Sequence, residues 1–293
     1  MPDAELFSIG QCATLACVME ATAPKPGNIH RGADFEDASY PDFVIAAIAI
    51  GPIMDAAVSL PLGQTVLSAV ETTRRAVATN TNLGTILLIA PLAKVPRTSR
   101  LDVGIVEVLG QTTQQDARDV YQAIVHAKPA GLGSVEQADV AGPAPADLID
   151  AMRLAADRDM VARQYCENFS DVLSIVVPGL ASAVGRGWQL PDAIVRVHLE
   201  LMRQFPDSLI ARRLGIDMAR RAAALAGAVL EMGSPGDEAY HEGLADFDFW
   251  LRSDGHRRNP GTTADLVAAG LFVALRDGII KSPLRLANVQ AGD

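Results

Sequence analysis

One stretch of this chain concentrates groups that could do chemistry: Glu20-Ala21-Thr22-Ala23-Pro24-Lys25-Pro26-Gly27-Asn28-Ile29-His30-Arg31-Gly32-Ala33-Asp34. It follows an apolar helical segment and cannot continue it. Pro24 and Pro26 fix φ and remove two N–H donors, and Gly27 admits a positive φ. The loop so shaped carries a lysine, an amide, an imidazole, a guanidinium and a carboxylate within a few residues. Cations and amide donors on such a backbone suit phosphate oxygens. A solvated helix connection is the plainer alternative for any one residue; the cluster as a whole favours a site. Lys25, being on the loop, is expected to reach the ligand and to support no core.

Three further segments carry comparable groups. Thr79-Asn80-Thr81-Asn82-Leu83-Gly84-Thr85 stands at the mouth of an apolar helix, with more amides than one N-cap needs, so capping and ligand contact both stay open. Asp207-Ser208 opens a helix that carries Arg212 and Arg213. These residues read either as a cap with a solvated basic turn, or as a metal carboxylate with phosphate-binding guanidiniums. Asn259-Pro260-Gly261-Thr262-Thr263-Ala264-Asp265 is a second Pro-Gly loop feeding an apolar helix. Its N-terminus is an anion seat, Thr262 and Asp265 fit a capping box, and Asp265 could instead face a metal. Lys128–Gly133 echoes the first loop without its Asn and His.

These segments need helices to position them. Of 293 residues 49% are apolar and only 5% aromatic, the balance of a packed helical protein, and the length suffices for one large domain. We expect a single all-α domain over 1–293, a multi-helix bundle with apolar central helices. Ser8 caps a helix to about Thr22. Phe43 to Ser59, apolar almost all round, should lie mid-bundle, with Pro52 kinking or restarting it. Amphipathic or apolar helices follow over Gln64–Ala78, Gln114–Ala127, Asp147–Gln164, Asn168–Val184, Asp192–Gln204 and Glu238–Arg252. Leu101–Leu109 fits helix and strand equally poorly. Ala141–Pro145 is the most linker-like piece. Asp171 reads as a cap or a site carboxylate, and His198 as a surface or satisfied core residue. The net charge of −10 argues against a general nucleic-acid surface, and the longest apolar run is too short to span a membrane. The cysteines Cys12, Cys17 and Cys166 make neither a disulfide framework nor a zinc spacing, and with no secretory pattern the expected setting is cytoplasmic.

The Glu20–Asp34 stretch, Asn80-Thr81-Asn82-Leu83-Gly84 and Asn259–Leu266 together resemble the triphosphoribosyl-dephospho-CoA synthase family, in order and across nearly the whole chain. The resemblance implies an all-helical transferase. It would join ATP to 3′-dephospho-CoA with release of adenine, making a prosthetic-group precursor for the carrier subunit of citrate lyase or malonate decarboxylase. Asn82-Leu83 stands where members serving citrate lyase carry a His-Lys pair, and Thr262-Thr263 where they favour smaller residues, which suggests a divergent branch. On this resemblance Lys25, His30 and Asp34 form the catalytic set, His30 for proton transfer or equally for a phosphate hydrogen bond. ATP would be held by Lys25, Gly27, Asn28, Arg31, Asn80, Thr81, Asn82, Gly84, Ser208, Arg212, Arg213, Asn259, Gly261, Thr262 and Thr263, and Mg²⁺ by Asp34, Asp207 and Asp265. The expected partners are small molecules, with neither nucleic acid nor membrane, and the oligomeric state stays open, a homodimer included. A related enzyme using another acceptor, and a non-catalytic nucleotide-binding protein, remain as alternatives.

Overall fold

The computed structural model describes residues 7–79, 81–127, 146–281 and 284. Lys128–Gly133, Ala141–Pro145 and Asn80 therefore lie outside the described residues. Among these described residues everything regular is helical except the short extended piece Ser253–His256. Local signals set most helix starts. Ser8 and Gln11 form a reciprocal capping box on α1 (Ile9–Thr22), and Ser39 and Asp42 do the same on α2 (Tyr40–Asp55). A 3₁₀ turn (Ala57–Ser59), α3 (Leu62–Ala76), α4 (Leu83–Lys94) and α5 (Leu101–Gly110) follow. On α6 (Gln114–Ala127) Thr113 and Asp116 bond reciprocally, and Asp116 also accepts from the Gly63 amide at 2.7 Å, tying α6 to the start of α3.

Asp147–Gln164 is not one helix. It breaks into α7 (Leu148–Ala155) and α8 (Met160–Cys166), because Asp159 turns its carboxylate onto the amides of Val161 and Ala162 and caps a new start. Asn168–Val184 is likewise divided. Asn168 and Phe169 have φ of 51° and 62°, a π turn spans Val172–Val176, and α9 runs over Val177–Gly185. Asp171 is neither cap nor site residue: its Oδ2 accepts from Arg163 at 2.6 Å and from Gln164 at 2.6 Å in a mostly buried cluster.

The remaining helices are α10 (Leu190–Gln204), α11 (Ser208–Leu214), α12 (Ile216–Glu231), α13 (Glu238–Arg252) and α14 (Gly261–Arg276). The centre of the bundle is α14, not α2. From Leu266 to Arg276 every residue of α14 is buried. Small residues let neighbours approach: a Cβ on Gly270 would stand 2.3 Å from Val176 Cγ1. The second apolar helix, α4, lies against α14. By contrast α2 turns one face to α1 and leaves Ile48 60% exposed, so its all-round apolarity does not make it central. A second hydrophobic cluster joins α10, α11, α12 and α13, and α10 contributes side chains to both clusters. No helix among the described residues is long and apolar enough to cross a membrane.

Candidate active site

The first Pro-Gly loop is held from both sides. Gly27 adopts φ 71°, donates its amide to Asp248 Oδ1 at 2.7 Å, and lies so close to α13 that a Cβ would meet Leu251 at 2.7 Å. Arg252 grips the same Asp248 and donates to the Asn28 carbonyl at 2.6 Å. Asn28 in turn donates to Asn259 Oδ1 at 2.8 Å, which joins the first loop directly to the second.

Lys25 is not a surface lysine. It has no exposed area; its Nζ donates to the carbonyls of Glu20 and Ala23 at the end of α1 and pairs with the Glu20 carboxylate at 2.9 Å. With its ammonium committed inside the protein, it does not line the cleft described next, and the expectation that it supports no core is overturned.

A cavity of about 590 Å³ opens where α1, the two loops, α4, α6, α7, α8, α11 and α14 meet, within the range of small-molecule sites. The first turns of α4, α8 and α14 border it, bringing the positive ends of their dipoles beside it, although Asp159 takes the amides of Val161 and Ala162 and Asp207 that of Thr263. Its mouth is cationic. Arg212 is bound to Asp159 at 2.6 Å, and Arg213 donates to the His256 carbonyl at 2.7 Å. The His256 ring stacks on Phe35 at 5.1 Å and faces Asp37 at 3.5 Å; Arg74 and Arg158 complete the rim.

The floor is acidic. Glu20, in the last turn of α1, and Asp265, in the second turn of α14, both line it. Asp265 Oδ1 accepts from the Thr85 hydroxyl at 2.6 Å, and Oδ2 leans on Gly84 so closely that a Cβ there would be 2.1 Å away. Burial first, then the carboxylates Glu20, Asp207 and Asp159, push the Asp265 carboxyl up to about 7, against the Thr85 hydrogen bond that favours its charge. The same surroundings raise the Cys17 thiol, so this cysteine on the floor stays protonated and inert. The Thr81 hydroxyl beside them is buried without a partner.

The family model for ATP:dephospho-CoA triphosphoribosyl transferases (CitG) matches residues 6–283. The chain belongs to that family. A solved structure of a candidate triphosphoribosyl-dephospho-CoA synthase from Archaeoglobus fulgidus shares 22% identity with it, covering 80% of this chain and 98% of its own, at a TM-score of 0.60. At that identity the likeness is one of fold. Among curated proteins none matches.

As a CitG-family transferase, the protein brings Asn28, Thr81, Asn82, Gly84, Arg212, Arg213, Asn259, Gly261, Thr262 and Asp265 from the sequence-derived set to one cleft. Others of that set go elsewhere. Asp207 Oδ1 caps α11 through the amides of Leu209 and Ile210, while Oδ2 takes both the amide and the hydroxyl of Thr263; these bonds occupy the carboxylate and remove Asp207 and Thr263 from the site. Ser208 Oγ accepts from the Met160 amide at 3.3 Å, tying α11 to α8. Asp34 accepts from the Tyr40 amide at 2.7 Å, and Arg31 is exposed on the turn bridged by His30 and Ala33; neither Asp34 nor Arg31 lines the cleft. His30 is off the cleft wall too. Its Nδ1 accepts from the Gly32 amide at 3.1 Å, and burial, then Arg252 and Lys25, lower its pKa, leaving a neutral ring.

Thr262 and Asp265 do not form a capping box; Pro260 precedes the helix and Asp265 is turned to Thr85 instead. Among the described residues no three His, Cys, Asp or Glu side chains converge as a metal cage. Sequence reasoning missed Glu20, Arg74, Thr85, Arg158, Asp159 and His256 as cleft residues. Glu20 opens the first quoted stretch, and its place in the last turn of an apolar helix, against the dipole, is the signal that could have set it apart.

Proposed function

We propose that this protein transfers the triphosphoribosyl group of ATP to the 2′-hydroxyl of 3′-dephospho-CoA and releases adenine, acting as one catalytic domain in the cytoplasm. What supports the reading is the polarity of a single cleft in a CitG-family chain: arginines at the mouth, and on the floor a carboxylate pair beside the first turns of α4 and α14. The first end suits a triphosphate. The second suits C1′ of the ribose, where breaking the bond to adenine leaves an oxocarbenium-like centre.

In this mechanism Asp265 gives its proton to the departing adenine, then takes the proton of the acceptor hydroxyl as that oxygen bonds to C1′. A carboxyl with its pKa near neutrality can serve both steps. Thr85 fixes the carboxyl's direction. Asn28 and Asn259, bonded to each other, hold the two loops in register along the wall.

Magnesium would enter as the companion of a triphosphate rather than on a cage of protein ligands. Asp37, at the mouth beside His256 and among the charges acting on Arg213, is a cleft carboxylate that can hold it with one or two phosphate oxygens. Bound there it would neutralise phosphate charge.

The test is incubation with ATP, Mg²⁺ and dephospho-CoA, reading free adenine by chromatography. Formation of ADP or AMP with no adenine overturns the proposal. Asn82 and Leu83 in the wall, at the place the family resemblance gives to a His-Lys pair, favour a second reading with a different hydroxyl acceptor. Adenine release with that acceptor alone would select it.

Gly84→Ala tests the floor. The added methyl must displace the Asp265 carboxyl, since it would overlap Oδ2 and Cγ. Adenine release should fall by about 10²-fold, the effect of misplacing a reacting group, while the circular dichroism spectrum stays that of wild type.

A further inference from the structure

Glu20 is poorly placed for a buried carboxylate. Glu20 is 7% exposed, sits in the last turn of α1 where the helix dipole opposes a negative charge, and has Asp265 as a neighbouring carboxylate. Its Oε1 lies 2.9 Å from Lys25 Nζ yet accepts no hydrogen bond. Lys25 spends donors on the Glu20 and Ala23 carbonyls, so it is anchored to the backbone of the turn that bears Glu20. An uncharged pair at positions 20 and 25 would fill the same space at lower cost. What the carboxylate does face is the cleft floor.

We propose that Glu20 is the second catalytic carboxylate of this site: it stays ionised against the ribosyl C1′ as that carbon gains positive charge, and Lys25 is the positioning residue that keeps it there. The inference rests on the triphosphoribosyl-transfer reading and divides the labour on the floor. Asp265 carries the proton; Glu20 carries the fixed negative charge. As the C1′–N9 bond of ATP breaks, its electron pair leaves with adenine, which takes the Asp265 proton. The cation at C1′ lies beside Glu20 until the acceptor oxygen bonds to it and returns its proton to Asp265. Glu20 neither gains nor loses a proton.

An anion that acts only on developing charge lowers kcat and leaves ground-state binding alone. Glu20→Gln should therefore reduce kcat for adenine release by about 10²- to 10³-fold, the scale of losing one preorganised electrostatic group, with the KM for ATP within about threefold of wild type.

Because Glu20→Gln strands a buried ammonium, the Glu20→Gln/Lys25→Met double variant is made alongside it. The double variant should be no slower than Glu20→Gln alone, since Lys25 acts through Glu20. A folded Glu20→Gln or double variant with wild-type kcat, in a preparation whose wild type releases adenine, overturns the inference while sparing the parent reading. A rise in KM with unchanged kcat also overturns it, by making Glu20 a binding residue. Wild-type protein that releases no adenine with any acceptor overturns both.

Discussion

Lys25→Met is expected to lower stability by about 3–5 kcal/mol, the usual result of removing one partner of a buried ion pair. In a melting experiment that is a drop in Tm on the order of 10 °C for a chain of this size. The cause is what the substitution leaves behind. Glu20 would lose its counter-ion in a nearly dry place, at the wrong end of a helix dipole, and the terminal carbonyls of α1 would lose their side-chain donor. Adding Glu20→Gln should restore most of the loss, because an uncharged pair no longer needs its counter-ion. A Lys25→Met protein that melts within a degree or two of wild type would show that the ammonium is not holding Glu20.

This expectation reverses what the Pro-Lys-Pro-Gly stretch implies by itself, and the reversal locates the limits of the sequence. Some helix starts were readable from residues three apart. Ser8 with Gln11, Ser39 with Asp42 and Thr113 with Asp116 cap their helices because such pairs meet regardless of the rest of the fold. The gathering of the two Pro-Gly loops was also legible, since Asn28 and Asn259 stand in motifs that must break a helix. Burial was not legible. Whether a loop lysine points out or folds back beneath its own helix depends on what covers it, and α10 and α13 close over this loop from far along the chain.

The same blindness hid α2's exposed face and the cleft role of Asp159. All-round apolarity does not say whether a neighbour arrives; here none covers Ile48 among the described residues. Ala155-Ala156-Asp157-Arg158-Asp159 continues a helical pattern until Asp159 withdraws two amides from it, and only then do Arg158 and the Arg212 ion pair turn into the cleft. His198 is the converse case. Expected as a surface or satisfied core residue, it is buried with both ring nitrogens unpartnered, kept neutral by burial and by the charge of Lys25.

Asp265→Asn is expected to lower kcat for adenine release by about 10²- to 10⁴-fold, the range for losing a general acid–base group, and to make the protein more stable at alkaline pH. Both effects follow from one displaced titration. The carboxyl is raised from an ordinary 3.8 to about 7, so the folded protein holds its proton more tightly than the unfolded chain does. Between those values stability falls as pH rises, because folding must keep protonated, or bury charged, a group that the unfolded chain ionises freely. Asparagine has no charge to bury and its Oδ1 still accepts from Thr85. The stability advantage of the variant over wild type should therefore widen from pH 5 to pH 8, by at most about 2–3 kcal/mol at 1.36 kcal/mol per pKa unit, seen as a growing difference in Tm. Wild-type kcat should fall as pH rises through about 7, where the proton for adenine is lost, and the variant should lack that limb. An Asp265→Asn protein that is less stable than wild type at pH 8, or that turns over at the wild-type rate, would remove Asp265 from the proton path. Such a trade, activity held at the expense of stability, is the mark of a residue kept for what it does to the substrate, since neither the Thr85 hydrogen bond nor the contact with Gly84 requires a carboxylate.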